Sequence, residues 1–328
     1  MPGTCSNPGP RGRAVPSHGA RREIAVRLHA LRFKAMGSPC ELQCHARDET
    51  TAQRAFQMAR ADIERLEQRY SRYRTDSFLS EMNRVALHGG TIDIDAETAS
   101  LLHYADTCHR QSDGLFDITS GVLRAAWRFD SGLLPDRGHV EALLPRVGWH
   151  KVRWTRSSIT FAPGMEIDLG GVVKEYAADR AAGICREHGI AHGLVNLGGD
   201  IRVIGAAPDG RPWQIGVRHP RAHDAVAGGL SVREGGVATS GDYERCIVVD
   251  GVRYGHILNP LTGWPVRHLA SVTVIGPYCL VAGSASTIAL LKEDEGPQWL
   301  QRLGFPHVWV DAAGEVGGTL GQSASGPR

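Results

Sequence analysis

Apolar positions recur every second residue in some stretches of the chain and every third or fourth in others, so strands and helices separate by period alone. From Leu31, LRFKAMG and CELQCHA alternate and predict two strands around a turn at Gly37-Ser38-Pro39. Ala52, Ala55, Phe56, Ala59, Ile63, Leu66 and Tyr70 then fall three or four apart among charged residues, which predicts an amphipathic helix over 51–70. SRYRTDSFLSEMN follows as a polar turn entering a short helix, which places Tyr73, Ser77 and Asn83 near the end of the long one. Asp95 is a good N-cap for a helix over 96–111 that stops at Ser112-Asp113-Gly114. A turn at 131–137, a short helix at 140–144 and two or three strands between 151 and 167 come next.

A strand ending at Ile167, Gly170-Gly171 and a helix marked by Val172, Val173, Tyr176, Ala177, Arg180, Ala181, Ile184 and Cys185 follow, closing at His188-Gly189. Two strands around Gly198-Gly199 occupy 193–205, and further strands are expected at 213–220 and 229–232. Residues 246–249 and 251–254 read as a hairpin turning at Asp250-Gly251, a pair suited to a tight turn. SVTVI is a strand, CLVAGSASTIALL a small-residue helix with Gly283 and Thr287 on one face, and 299–303 with HVWVD complete the fold.

Composition changes this picture little. The 37 basic and 35 acidic residues leave a formal charge of +2, which gives no broad attraction to nucleic acid or anionic membrane. Seven scattered cysteines without a CxxC pair or matched histidines read as reduced thiols in a cytosol-like compartment. Forty glycines fit a strand-rich or nucleotide-cradling protein. Residues 1–30 are rich in Pro, Gly, Ser and Arg and read as a flexible extension. Arg21-Arg22 hints at twin-arginine export, but Glu23, Arg27 and His29 interrupt what should follow. No stretch reaches the length of a membrane-spanning helix.

Three stretches carry candidate chemistry. Residues 235–265 gather Thr239, Ser240, Asp242, Tyr243, Glu244, His256 and Thr262. A hairpin joins its ends, so the ATSGD hydroxyls and carboxylate are expected beside the imidazole of GHILNP; an ordinary polar hairpin over a packed histidine is the alternative. At Gly170-Gly171 the free N–H groups of a helix start could receive a phosphate, and Lys174 in that first turn opposes the dipole unless it meets an anion. A glycine turn before a buried helix accounts for the same residues. Asp117 either finds a partner at the entry to a buried segment or caps the run that follows, as Thr119 and Ser120 also could.

MGS at Met36, SRYRTDSFLSEMN at Ser71, GLFDITSG at Gly114, IDLGGVVKEYAAD at Ile167, LVNLGGDI at Leu194, ATSGDYER at Ala238 and HILNPLTGWP at His256 stand in the order of one family. The chain resembles the FAD:protein FMN transferases, or ApbE-like flavin transferases, from about Phe33 to about Gly317. The resemblance implies an α+β, T-fold-like architecture in which two lobes of mostly antiparallel sheet with packed helices span 31–318; residues 319–328, ending in GQSASGPR, read as a disordered tail. It implies magnesium-dependent transfer of FMN from FAD to a threonine hydroxyl of an acceptor protein, itself a flavin-dependent redox protein, with release of AMP.

By the same likeness Met36, Tyr73, Leu115, Phe116 and Asp117 hold FAD, and Asp168, Lys174 and Ile257 line the rest of its site. His256 is the general base, Thr239 and Asp242 shape its loop, and the Gly171 carbonyl and Thr287 bind Mg²⁺. Three departures stand out. Gly283 replaces the family's metal-binding Asp, Glu175 replaces a glycine at the helix start, and Asn259 and Leu261 replace the Asp and Arg of the IDPRTG turn. Loss of the carboxylate at 283 is expected to weaken the metal site, with no simple Glu swap to rescue it. A non-catalytic FAD-binding protein and an FAD pyrophosphatase releasing free FMN are the competing functions, and a cytoplasmic location is expected.

Overall fold

The computed structural model describes residues 26–222 and 225–320. Most of the expected N-terminal extension, residues 1–25, and nearly all of the expected tail, residues 321–328, lie outside them. The first strand begins at Arg27, inside the segment expected to be flexible.

β1 (Arg27–Ala35) and β2 (Ser38–Ala46) pair antiparallel. Their turn is Met36 (φ 52°) and Gly37 (φ 72°), both left-handed, as a two-residue hairpin requires. Ser38 and Pro39, expected in the turn, already belong to β2. α1 (Glu49–Tyr70) is capped by Asp48 and buries all seven apolar positions of the predicted stripe. α2 (Phe78–His88), β3 (Gly90–Asp93) and α3 (Ala96–Gln111, capped by Asp95 as expected) follow. A 3₁₀ segment (Ile118–Ala125), α4 (Arg137–Leu143), β4 (Arg153–Trp154) and β5 (Ser158–Phe161) lead to α5 (Val173–Glu187).

Beyond α5 the chain is strand-rich: β6 (His192–Leu197), β7 (Asp200–Gly205), β8 (Trp213–Arg218), β9 (Val226–Val232) and β10 (Gly235–Gly241). β11 (Cys246–Val249) and β12 (Val252–Gly255) form the predicted hairpin, turning at Asp250 (φ 50°) and Gly251 (φ 75°). β13 (Leu269–Gly276), α6 (Cys279–Leu291), α7 (Gly296–Arg302), β14 (His307–Asp311) and β15 (Val316–Gly318) complete the described chain.

Eight strands form one antiparallel sheet in the order β1-β2-β6-β7-β10-β13-β14-β15. Alternation along each strand divides its side chains between two cores. Val195 and Leu197 of β6 and Ala238 of β10 enter the large core, which also receives the buried faces of α1, α5 and α6. Their neighbours Leu194 and Val237 join Val217 and Leu230 of the β8-β9 hairpin on the opposite face. A small β3-β5-β4 sheet sends Ile159 and Phe161 into the same large core, so both sheets share apolar packing. The expected α+β architecture of antiparallel sheets with packed helices is present. No helix of the described residues is long and apolar enough to cross a membrane.

Candidate functional site

Cys246 pairs with Gly255 at the open end of the β11-β12 hairpin, which brings Arg245 opposite His256. His256 keeps an exposed face, but the protein packed around it strips water from an imidazolium and Arg245 repels one. Its pKa is therefore lowered from 6.5, and the ring is neutral at pH 7. The expected neighbour is there. A β-carbon on Gly255 would lie 2.8 Å from the Asp242 β-carbon, so only a glycine lets the segment after β10 close on the hairpin. Asp242 turns its carboxylate away, however, into a fork with Arg221 at 2.7 and 2.6 Å. Thr239 and Ser240 lie on a strand rather than in a loop. The Thr239 hydroxyl bonds that of Thr273 at 2.8 Å, its partner across β13.

The segment before α5 is extended but belongs to no sheet, contrary to the expected strand at Ile167. Asn83 of α2 does what a neighbouring strand would do: its Oδ1 accepts from Ile167 N at 2.8 Å and its Nδ2 donates to Ile167 O at 3.0 Å. Asp168 N bonds Ile118 O at 2.8 Å, and the Asp168 carboxylate accepts from Gly170 N at 2.9 Å and from Arg72. Helix α5 then starts at Val173 with no side chain capping its N-terminus. Lys174 has its anion within the chain, since its Nζ lies 2.8 Å from buried Asp200. Burial opposes the Lys174 charge, yet Asp200 and Glu175 outweigh it and raise the pKa. The lysine's place in the first turn is thus explained without a phosphate.

Tyr73 is 67% exposed and stands between two arginines, with the Arg72 guanidinium 4.9 Å and that of Arg245 5.6 Å from its ring. Both also bond its hydroxyl. Desolvation works against the phenolate, but the two arginines prevail and lower the pKa. A chain of contacts, Asp168–Arg72–Tyr73–Arg245, therefore runs from the double glycine to the residue facing His256. Arg72 and Arg245 escaped the sequence reading because an arginine in a polar turn carries no local mark of what it meets.

Asp117 is the cap. It accepts from Thr119 N at 2.8 Å, Thr119 Oγ1 at 2.6 Å and Trp149 N at 2.9 Å, so its carboxylate is spent on the chain's own donors. Leu115 and Phe116 precede it, and the Phe116 ring lies 3.5 Å from where a β-carbon on Gly171 would sit. Met36 lies in the left-handed turn between β1 and β2, and the start of β2 meets the Gly198-Gly199 turn, where Gly198 N donates to Pro39 O at 3.0 Å. Ile257 anchors the stretch after the hairpin by accepting from Val266 N at 3.1 Å. There Asn259 Oδ1 accepts from Leu261 N at 2.9 Å, a bond an Asp would also make, so this departure keeps the turn.

The other two departures meet in space. A β-carbon on Gly283 would lie 2.5 Å from Glu175 Cγ and 2.9 Å from its Oε1, so the glutamate of α5 fills the space facing that glycine of α6. Glu175 is 7% exposed and its Oε2 has no hydrogen-bond partner; burial, reinforced by Asp200, raises its pKa. On the same face of α6, one turn on, the Thr287 hydroxyl bonds Ser240 Oγ at 2.8 Å. Among the described residues no three His, Cys, Asp or Glu side chains converge on a metal position. A carbonyl at Gly171, a hydroxyl at Thr287 and one unpartnered carboxylate are oxygen donors of the kind a hard divalent cation takes, often with water completing the shell.

The profile of the ApbE family matches residues 36–309. An FAD:protein FMN transferase of Klebsiella pneumoniae (strain 342) is 33% identical over 256 residues, covering 76% of this chain and 78% of its own. That of Haemophilus influenzae is 30% identical over 263 residues, covering 75% of each. Among solved structures, the ApbE protein of Thermotoga maritima superposes with a TM-score of 0.82 at 31% identity, over 89% of this chain and 96% of that one. The apo form of the Pseudomonas stutzeri flavinyl transferase ApbE gives 0.79 at 26%, over 89% and 93%. The matched span takes in the hairpin, the double glycine and both helices that face each other across Glu175, and this chain belongs to the ApbE family.

Proposed function

We propose that this protein is an FAD:protein FMN transferase, which moves FMN from FAD to a threonine hydroxyl of an acceptor protein and releases AMP. The threonine oxygen forms a bond to the FMN-side phosphorus, the bridging P–O bond of the diphosphate breaks, and the threonine proton passes to His256. The observation that carries this reading is the run of contacts from Asp168 through Arg72, Tyr73 and Arg245 to the position opposite His256. It joins an uncapped helix N-terminus, suited to a diphosphate, to a neutral imidazole suited to take a proton.

Each group has work within that reading. The guanidinium of Arg72 and the positive end of the α5 dipole hold the diphosphate, and Tyr73 offers an exposed ring for stacking. Asp168 orients Arg72. The Gly171 carbonyl and the Thr287 hydroxyl would hold Mg²⁺, which when bound supplies charge neutralisation at the diphosphate. The acceptor is a threonine-bearing, flavin-dependent redox protein, and the proposed compartment is the cytoplasm.

Mass spectrometry of such an acceptor incubated with the protein, FAD and Mg²⁺ tests the assignment. A mass gain equal to FMN, with AMP released, is the expected result. Free FMN with an unmodified acceptor would replace the transferase with a pyrophosphatase, and FAD recovered intact would leave a binding protein.

A further inference from the structure

We propose that Glu175 supplies the anionic oxygen of the divalent-cation site, so that the carboxylate reaches the cation from α5 while position 283 of α6 stays bare to admit it. The inference rests on the transferase reading for the location of the site, and on three features of this chain for the residue.

The first is that Glu175 is nine-tenths buried with an oxygen that receives no hydrogen bond, a costly arrangement for a carboxylate unless something cationic completes it. The adjacent cation acts on Glu175 only as a nearby charge: Lys174 Nζ is directed to Asp200 at 2.8 Å and leaves Glu175 Oε2 without a hydrogen bond. The second is steric. A β-carbon at 283 would approach Glu175 Cγ to 2.5 Å, so a side chain at 283 would force the Glu175 side chain out of the position it holds. The glycine is the counterpart of the glutamate. The third is the company Glu175 keeps. Thr287 follows Gly283 by one turn on the face of α6 that Glu175 covers, and Gly171 stands four residues before Glu175 in the turn that leads into α5. Carboxylate, carbonyl and hydroxyl together suit Mg²⁺ or Mn²⁺.

Calorimetric titration of the full chain with Mn²⁺ alone, without FAD, tests the assignment. Three proteins are compared: the natural sequence, Glu175→Gln, and the exchange variant Glu175→Gly with Gly283→Asp. Circular dichroism and thermal melting confirm that each is folded. The natural protein should show saturable binding, Glu175→Gln should weaken it by about tenfold or more, and the exchange should recover most of the loss. Single Gly283→Asp should be less stable than the exchange, because two side chains then compete for one space.

Equal Mn²⁺ affinity in the natural protein and folded Glu175→Gln would overturn the proposal and leave Glu175 a buried neutral acid. Absence of saturable binding in the natural protein, or a folded exchange variant that recovers nothing, would do the same. The transferase reading fails separately: a protein that binds Mn²⁺ through Glu175 yet never modifies an acceptor loses that reading and keeps this one.

Discussion

A histidine serves as a base only while it is unprotonated, and the surroundings of His256 keep it so. Removal of water and the nearby Arg245 charge both oppose the imidazolium, and the pKa falls below 6.5. The direction fixes the pH dependence: the neutral form is present above the lowered pKa and is lost as pH falls through it. Single-turnover FMN transfer should therefore be independent of this group at pH 7 and above, with its acid limb below pH 6.5. A limb centred above that value would assign the base elsewhere. His256→Ala should slow transfer by about 10²- to 10⁴-fold, the usual span for losing a general base, while FAD binding measured by flavin fluorescence stays near that of the natural protein. Loss of FAD binding to the same extent would make His256 a binding residue instead.

Between elements, side chains do jobs that local sequence does not announce. The stripe of α1, the cap of α3 and the Asp-Gly hairpin were legible because period, cap and turn chemistry are short-range. The extended stretch at Ile167 was legible as extended but not as unpaired, since its partner is the amide of Asn83 from 84 residues away. β3 and β15, of four and three residues, are too short for a period to show. The juxtaposition of Glu175 and Gly283 was equally hidden: each read alone as a departure, and only the packing of α5 on α6 joins them. Asn83→Ala should leave the N–H and C=O of fully buried Ile167 without partners and cost about 3 kcal/mol in urea unfolding, with weaker FAD binding because Asp168 and the double glycine follow directly. A stability change under about 0.5 kcal/mol would show that water replaces the amide. The start of α6 makes the same point: Asp179 of α5 accepts from Cys279 N and Leu280 N, both at 2.9 Å, where α6 has no capping side chain of its own. Asp179→Ala should cost about 1–2 kcal/mol by the same assay, the scale of a lost N-cap, and a neutral result would place the capping elsewhere.

Across the whole molecule, the groups that would meet FAD and the base that would act beside it, Tyr73, Asp168 and His256, are far apart in sequence and sit in the turn after α1, the extended stretch before α5 and the end of the β11-β12 hairpin. A ligand that spans them binds only when α5, the arginine pair and the hairpin are all folded, so its binding energy adds to the stability of the native state. At a free concentration about 100 times its dissociation constant, FAD should stabilise the protein by about 2.7 kcal/mol, a rise of roughly 5 °C in melting temperature for a domain of this size. Mg²⁺ and FAD should each enlarge the other's shift, since a cation beside a diphosphate favours both and coupling between bound ligands is reciprocal. AMP, which lacks the flavin half, should give a smaller shift and leave hydrogen exchange in the β11-β12 hairpin unchanged, whereas FAD should slow it. Protection of that hairpin by FAD is the decisive readout. If FAD raises the melting temperature while the hairpin amides exchange as fast as in the free protein, the nucleotide sits away from His256 and the route from the double glycine to the imidazole is not the one it follows.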